Sequence, residues 1–237
     1  MRSGFSPSPA CSMAVHLVGD ERNPVIVADH LFAEAPGLVD YASSAPFRPL
    51  GGLYPGIHAP VPAPYPEALF HLLIGPIAQV FGVAPQDLAD VASDFRMVTA
   101  SPDRLQLRQR LPHYDLTDPN LIVILHYLAP PGYGGTSMYR HRRTRFEGIS
   151  EGRQPAFETA LAEELAGYEP QGYVLGDNPL FERIASFSAT FNRAIVYRGN
   201  ALHSGDILPE SSHSDDARTG RLTASTLFTF KPKVGHA

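Results

Sequence analysis

The hydrophobic pattern of the chain changes at Asp94, and this change limits the folds open to everything that follows. From here, short segments rich in β-branched residues alternate with turns, such as the one over residues 130–135. Segments of this length and composition are typical of β-strands. Many short strands joined by turns favour an antiparallel double-sheet barrel or jelly roll. The predicted strands are 95–99, 105–109, 121–128, 192–198 and 221–230, with 138–145 as a strand or loop.

The first third of the chain has a different character. Residues 1–20 are predicted to form a loosely ordered arm, and 23–29 a short buried strand. The spacing of apolar residues predicts helices over 30–42 and 66–81, and a later one over 155–166. The expected fold class is therefore α+β and mainly β, with N-terminal helices that support the β-core.

Length and composition are those of an ordinary globular protein. A chain of 237 residues, 43% apolar and 18% charged, is long enough to bury a full core in one domain. We therefore expect a single domain over 1–237. Residues 1–93 would form the arm and supporting helices, 94–230 the β-core, and 137–190 an insert in that core.

Several classes of protein are disfavoured by charge, hydropathy and cysteine content. A net charge of −5 gives no reason to expect a nucleic-acid partner. No window approaches 18 apolar residues, so no membrane association is expected. Cys11 is the single cysteine, which excludes a disulfide framework and a cysteine metal site. The start of the chain lacks an apolar core of signal-peptide length, so the expected location is cytoplasmic, with the oligomeric state open.

The first candidate for chemistry is the tripeptide His113-Tyr114-Asp115. On an extended strand, residues i and i+2 project to the same face, so an imidazole and a carboxylate would enter one pocket together. These are two of the three ligands of a 2-His-1-carboxylate facial triad, which holds non-haem Fe(II) with open positions. The tripeptide alone is a common pattern, so a third ligand must come from a distant strand.

His203 is the candidate for that third ligand, because it stands just after the predicted strand 192–198. Further on, Arg221 opens the strongly alternating last strand. An arginine on a barrel wall is costly to bury without an anionic partner, and its planar fork matches a carboxylate. A dicarboxylate cosubstrate could bind the metal at one end and supply the anionic partner of Arg221 at the other.

These motifs, in this order, resemble the Fe(II)/2-oxoglutarate-dependent oxygenases, and most closely the prolyl-hydroxylase-like branch. The resemblance covers roughly residues 94–230. It includes the turn Gly134-Gly135-Thr136 after the apolar strand 121–128. It implies a double-stranded β-helix (jelly-roll or cupin-like) core, with Fe(II), 2-oxoglutarate and O2 as cofactor and cosubstrates.

The resemblance also implies roles for individual residues. His113, Asp115 and His203 would bind iron. Arg221 would bind the C5 carboxylate of 2-oxoglutarate, with Tyr127 as a second contact to that carboxylate, and Thr223 matches the Ser/Thr that follows the arginine. The implied reaction hydroxylates a C–H bond and releases succinate and carbon dioxide, and Asp115 argues against a halogenating variant.

Two departures from the family pattern leave rival residues. The Gly-Gly turn lacks an acidic residue, and the interval from His203 to Arg221 is long. The extra length fits a polar loop over 206–220, which contains His213 and Arg218 as rivals. His213 lies in a run of polar residues, and Arg218 lies before the alternating strand, so His203 and Arg221 are preferred.

The substrate is expected to be a small molecule or an amino-acid or peptidyl group. Gln109 has the same parity as His113 and is a candidate to face the cavity, unless Pro112 introduces a bulge. Tyr139 is likewise a candidate to contact the substrate. Arg140 and Arg142 lie in a basic stretch and either contact a substrate anion or form salt bridges on a surface strand.

Two other functions compete with the oxygenase hypothesis. A non-catalytic cupin-like binding or scaffold protein could retain a vestigial metal site, but it has no need of a complete triad together with Arg221. A metal-dependent hydrolase or isomerase on the same barrel would leave Arg221 and Tyr127 without a role. The neighbouring His126 should face the opposite side of its strand and serve the core.

Overall fold

Three α-helices lie between strands in the described part of this chain, and its last four elements are all strands. The computed structural model describes residues 5–208 and 213–232. Within these residues the strands are β1 Ser12–Val18, β2 Asn23–Asp29, β3 Arg48–Pro49, β4 Gly56–Pro60, β5 Leu88–Val98, β6 Leu121–Tyr127, β7 Thr136–His141, β8 Phe181–Phe187, β9 Arg193–Arg198, β10 His203–Gly205 and β11 Leu222–Phe230. The α-helices are α1 Ala35–Ala42, α2 Tyr65–Phe81 and α3 Gln154–Leu165.

The strands form two antiparallel sheets. The large sheet has eight strands in the order β1-β2-β9-β6-β11-β5-β4-β3, and the small sheet has three in the order β10-β7-β8. Neighbours in the middle of the large sheet come from distant parts of the chain, so chain order and spatial order differ. The architecture is a mainly β sandwich with few helices.

Strict alternation along β6 separates two cores. Ile122 and Ile124 pack into a cluster with α1 and α2 on one face of the large sheet. Val123 and Tyr127 pack on the other face with Met138 of the small sheet. Because the side-chain period of a strand is two, each central strand contributes to both cores.

Helix α2 covers the outer face of the large sheet. It buries one side chain per turn, and it ends at Gly82, whose φ of +68° suits a residue without a Cβ. The buried residues of this face are Tyr65, Leu69, Leu73, Ile77 and Phe81. The helix thereby leaves the inner face of the large sheet free to meet the small sheet.

A polar triad crosses the helix-facing core. His126 is fully buried, and its ring bonds to the Tyr65 hydroxyl through Nδ1 (3.1 Å) and to Asn192 Oδ1 through Nε2 (3.1 Å). Asn192 also bonds both backbone groups of Phe32, which ties the end of β2 to the start of β9. His126 therefore serves the core, as its parity in β6 predicted.

Some sequence predictions were confirmed and others were wrong. The predicted strands at 23–29, 121–128, 192–198 and 221–230 are β2, β6, β9 and β11, and the predicted helix 66–81 is α2. The expected arm over 1–20 was wrong at Ser12–Val18, because β1 pairs along its length with β2. The predicted helix over 30–42 begins only at Ala35.

The strand predicted at 105–109 was also wrong. A 3-10 helix occupies Leu107–Arg110, where the Gln106 backbone N–H donates to Gln109 Oε1 (2.8 Å). The Arg110 guanidinium donates to the carbonyl of Leu105, which closes the same turn. Local side-chain to backbone bonds of this kind compete with strand pairing, and here they win.

The predicted division at residue 93 and the predicted insert 137–190 do not follow the boundaries of the observed elements. Strand β5 spans the expected division at residue 93, so the arm-and-helices unit and the β-core share a strand. The interval 137–190 contains α3 between β7 and β8, both of which belong to the small sheet. Residues 209–212 of the predicted polar loop lie outside the described residues.

In the described part of the chain, no helix combines the length and apolarity needed to cross a bilayer.

Burial of His126 predicts a pH-dependent stability. Desolvation lowers its pKa from 6.5 to about 4 in the folded protein, whereas the unfolded chain takes up the proton near 6.5. The unfolded state therefore binds more protons between these pH values, and the free energy of unfolding should fall by roughly 2–3 kcal/mol as pH is lowered through that window. Urea unfolding at several pH values should show that the free energy of unfolding depends less steeply on pH in His126→Gln than in the wild type.

His71→Gln is the matched control, because His71 lies on the exposed side of α2 with 71% of its side chain accessible. Its slope should equal that of the wild type. Equal slopes for both variants would show that His126 does not carry the pH dependence.

Candidate metal centre and cavity

Three side chains converge between the two sheets. The ligand atoms of His113, Asp115 and His203 all lie within 4.8 Å of one another. His203 Nε2 is 3.8 Å from Asp115 Oδ2, and the two imidazole rings are 4.5 Å apart between centroids. Two imidazoles and one carboxylate in this arrangement can hold a divalent transition metal.

Backbone pairing brings these residues together. His113 and His203 exchange two hydrogen bonds, His113 N–H to His203 O (2.9 Å) and His203 N–H to His113 O (2.8 Å). The N–H of Asp115 donates to the carbonyl of Gly199 at 2.7 Å. The His113 segment is thus an isolated antiparallel bridge beside β10 rather than a full strand, but it is extended enough for the i, i+2 side chains to share a face.

The two histidines present free nitrogen lone pairs. His203 Nδ1 lies 2.9 Å from the carbonyl of Ala201, which can only accept, so Nδ1 carries the proton and Nε2 faces Asp115. Part of the His113 surface opens into the cavity, but the surrounding protein desolvates the ring. Desolvation lowers the pKa of His113 to about 4, with a further lowering from His203 and an opposing effect of Asp115. The His113 ring is therefore a neutral ligand at neutral pH.

A cavity of about 300 Å³, the inner cavity, extends between the sheets from the metal triad formed by His113, Asp115 and His203. A second cavity of about 370 Å³ adjoins it and shares His113, Tyr114 and Asp115. The triad therefore stands at the junction of an inner and an outer space. The walls of the inner cavity combine aliphatic side chains with tyrosines, among them Val98, Val123, Leu125, Leu227, Tyr54, Tyr173 and Tyr197.

Arg221 lines the inner cavity and is held there by a glycine turn. Its Nε donates to the carbonyl of Gly134 (3.2 Å) and its Nη2 to that of Gly135 (2.7 Å). Within the described residues no carboxylate pairs with it. A Cβ on Gly134 would lie 1.8 Å from the carbonyl oxygen of Asp206, and one on Gly135 1.7 Å from that of Phe187. Only glycine permits the close approach that presents these two carbonyls to the guanidinium.

The other predicted cosubstrate residues are placed differently. Thr223 lines the inner cavity from β11, in the same wall as Arg221. Tyr127 is buried behind this wall, and its hydroxyl donates to Thr136 Oγ1 at 2.8 Å. Burial raises the pKa of Tyr127 to about 12, an effect that Arg221 partly offsets. Tyr127 thus reaches the cavity through Thr136 rather than directly.

Sequence patterns missed several residues of the inner cavity. Arg96 lies between Phe95 and Met97, both of which face the helix-side core, so the alternation of β5 was a usable signal that Arg96 faces the cavity. Tyr54 and Tyr173 come from irregular segments and carried no periodic signal. Burial raises the pKa of Tyr54 to about 12, while Arg221 and Arg96 lower it.

A family model matches residues 9–228 of the chain. The chain belongs to the family of unknown function DUF6445. No curated protein matches it. The solved structures similar to it include the non-haem α-ketoglutarate-dependent carbocyclase SnoK from nogalamycin biosynthesis, at 13% sequence identity and a TM-score of 0.45. That alignment covers 89% of this chain and 83% of SnoK.

Two of the predicted substrate residues differ in their access to the inner cavity. Gln109 lines this cavity from the 3-10 helix, although its Oε1 is engaged by the backbone of Gln106. Tyr139 is fully buried in a cluster with Phe157 and Phe181, away from the inner cavity. Its hydroxyl is buried with no hydrogen-bond partner among the described residues.

Arg140 and Arg142 lie outside both cavities and are already paired. Arg140 is buried and contacts Glu147 through two guanidinium nitrogens, together with Asp20 at 2.8 Å and Glu182 at 3.1 Å. Arg142 is half exposed and pairs with Asp177 at 3.2 Å. Of the two alternatives for this basic stretch, the structure shows salt bridges rather than a free cation.

The rivals in the polar loop are also placed away from the triad. Arg218 is exposed and pairs with Asp40 at 2.9 Å. The ring of His213 stacks on that of Tyr173, with 6.2 Å between centroids, and is not part of the ligand cluster. His203 and Arg221 are therefore the residues that the fold brings to the cavity.

The pairing of Arg140 predicts a large stability effect at a position outside the cavity. Arg140→Met would leave Glu147, which is 1% exposed, as a buried carboxylate without a cation. Removing one partner of a buried pair costs about 3–5 kcal/mol of unfolding free energy. Arg142→Met removes an exposed pair and should cost about 1 kcal/mol or less. Urea unfolding of the two variants measures the difference, and similar values would contradict a structural role for Arg140.

Proposed function

We propose that this DUF6445 protein is an Fe(II)- and 2-oxoglutarate-dependent dioxygenase. It hydroxylates a C–H bond of a small molecule, or of an amino-acid or peptidyl substrate, and releases succinate and carbon dioxide. The observation that carries this proposal is the convergence of His113, Asp115 and His203 in a cavity whose wall also presents Arg221, which has no carboxylate partner among the described residues.

The donor set fits Fe(II). Two imidazoles and one carboxylate, with no cysteine, are the ligands that non-haem Fe(II) oxygenases use. His203 is oriented by the Ala201 carbonyl, and both histidines are fixed by their mutual backbone bonds. Second contacts of this type hold ligands in place for a metal. Iron bound by these three residues would supply the activation of O2 for C–H oxidation.

Arg221 suits the distal carboxylate of 2-oxoglutarate. The carbonyls of Gly134 and Gly135 fix its guanidinium but carry no net charge, so the positive charge still needs an anion. Thr223 lies on the same wall and offers a hydroxyl beside it. Tyr127 supports this subsite through Thr136.

The strand order supports a double-stranded β-helix as the finer description of the fold. Strands β5, β11, β6 and β9 are neighbours in the large sheet, and the His113 bridge adds an edge to β10, β7 and β8 in the small one. Each sheet thus has four neighbouring members, and successive members along the chain alternate between the two sheets except at β7 and β8, as in a jelly roll. The triad and Arg221 then lie at one end of the same barrel.

The proposal predicts a visible charge-transfer band when Fe(II) and 2-oxoglutarate are added together without oxygen, and succinate formation once oxygen is admitted. His113→Ala and Asp115→Ala should abolish the band, because each removes one of three protein ligands. A wild-type protein that binds neither Fe(II) nor 2-oxoglutarate would refute the proposal.

The role of Arg221 has its own test. Arg221→Gln should raise the dissociation constant for 2-oxoglutarate by about tenfold or more, since a charge-assisted hydrogen bond contributes roughly 1.5–3 kcal/mol. Arg142→Gln, an arginine outside both cavities, is the matched control and should leave that constant unchanged. Unchanged affinity in Arg221→Gln would remove Arg221 from the cosubstrate site.

A further inference from the structure

A second arginine, Arg96, faces the inner cavity from near the end of β5. It is paired across the strands with Thr223 of β11, which faces the same cavity. Arg221 stands two residues before Thr223, so Arg96 and Arg221 are diagonal neighbours on one wall. Diagonal positions in an antiparallel pair lie about 7–8 Å apart. One wall of the cavity therefore carries two guanidinium groups.

Arg96 has a buried donor that the described residues do not satisfy. Its Nε is buried without a hydrogen-bond partner, and no carboxylate of the described residues forms an ion pair with it. Its guanidinium carbon lies 5.5 Å from the centre of the Tyr54 ring, a cation–π contact that fixes its position without neutralising its charge. A buried cationic donor without an acceptor is costly, so its retention points to a ligand that completes it.

The charges of the cavity indicate what that ligand carries. Arg108, at the mouth, is neutralised by Glu158 at 2.6 Å. Arg96 and Arg221 then face one carboxylate, that of Asp115. A divalent metal on the triad and a dianionic 2-oxoglutarate cancel each other, and Asp115 cancels one arginine. One positive charge is left, and a singly charged anion would neutralise it.

We propose that Arg96, backed by Tyr54, binds a carboxylate of the substrate that is oxidised, and that this substrate is a small monocarboxylic acid. The proposal rests on the proposed function, because the charge balance includes the metal and 2-oxoglutarate. The planar fork of an arginine binds a carboxylate through two hydrogen bonds, and the single charge of a carboxylate matches the one positive charge left, whereas a doubly charged phosphate would exceed it. The volume of about 300 Å³ is at the lower end for small-molecule sites, and the aliphatic walls suit an acid with an apolar body.

The first experiment assigns each arginine to its anion. The dissociation constant of 2-oxoglutarate is measured from the anaerobic charge-transfer band of the Fe(II) protein in Arg96→Gln, Arg221→Gln and the control Arg142→Gln. Arg96→Gln should stay within about twofold of wild type, whereas Arg221→Gln should weaken binding by about tenfold or more. An equal or larger loss in Arg96→Gln would place Arg96 in the cosubstrate site and overturn the proposal.

The second experiment tests the carboxylate directly. The probes are N-acetyl amino acids and short aliphatic and aromatic monocarboxylic acids, each paired with its primary amide, and binding to the Fe(II)–2-oxoglutarate protein is followed anaerobically by saturation-transfer NMR. At least one acid should bind where its amide does not, and Arg96→Gln should weaken that acid by about tenfold or more. Equal binding of acids and amides, unchanged binding in Arg96→Gln, or no binding by any acid would each overturn the proposal.

Thermal stability separates a ligand-binding role from a structural one. Arg96→Gln removes a half-buried cation that has no carboxylate partner among the described residues, so its melting temperature should equal or exceed that of wild type. A marked drop would show that Arg96 serves the fold. If wild type gives no charge-transfer band but still binds an acid through Arg96 in the metal-free state, the proposed function fails while the carboxylate subsite stands.

Discussion

The reciprocal backbone bonds between His113 and His203 are the interaction on which the site depends. These residues are far apart in the chain, and neither belongs to a long strand. Two hydrogen bonds of 2.9 and 2.8 Å place their side chains on the same face, and the bond from Asp115 to Gly199 continues the pairing. The candidate metal ligands are thus positioned by main-chain hydrogen bonds.

Alternate residues of the large sheet face opposite sides and serve different purposes. One set of alternate residues packs beneath α1 and α2, and the other faces the small sheet and the cavity. The same strands that build the hydrophobic core therefore also deliver Arg96, Thr223 and the aliphatic wall. Stability and ligand recognition are separated by the two-residue period of a strand rather than by different segments of the chain.

The ligand cluster could be predicted from sequence because its signals are local or periodic. His113 and Asp115 are two residues apart, and Arg221 opens an alternating strand. Predictions failed where local hydrogen bonds, or partners distant in the sequence, determine the structure. The parity argument for Gln109 did not foresee the 3-10 helix, in which Gln106 and Gln109 bond to each other. The pairing of Arg140 with Asp20 joins segments about half the chain apart, and no pattern near Arg140 announces it.

The turn at Gly134 and Gly135 has a consequence for how the cavity holds charge. Its carbonyls orient the Arg221 guanidinium through dipoles, and an acidic residue in that position would have cancelled the cation. Tyr54 does the same for Arg96 with the face of a ring. Orientation and neutralisation are thus assigned to different partners. The protein orients both guanidinium groups, but no carboxylate of the described residues forms an ion pair with either of them, so their positions are fixed without direct neutralisation.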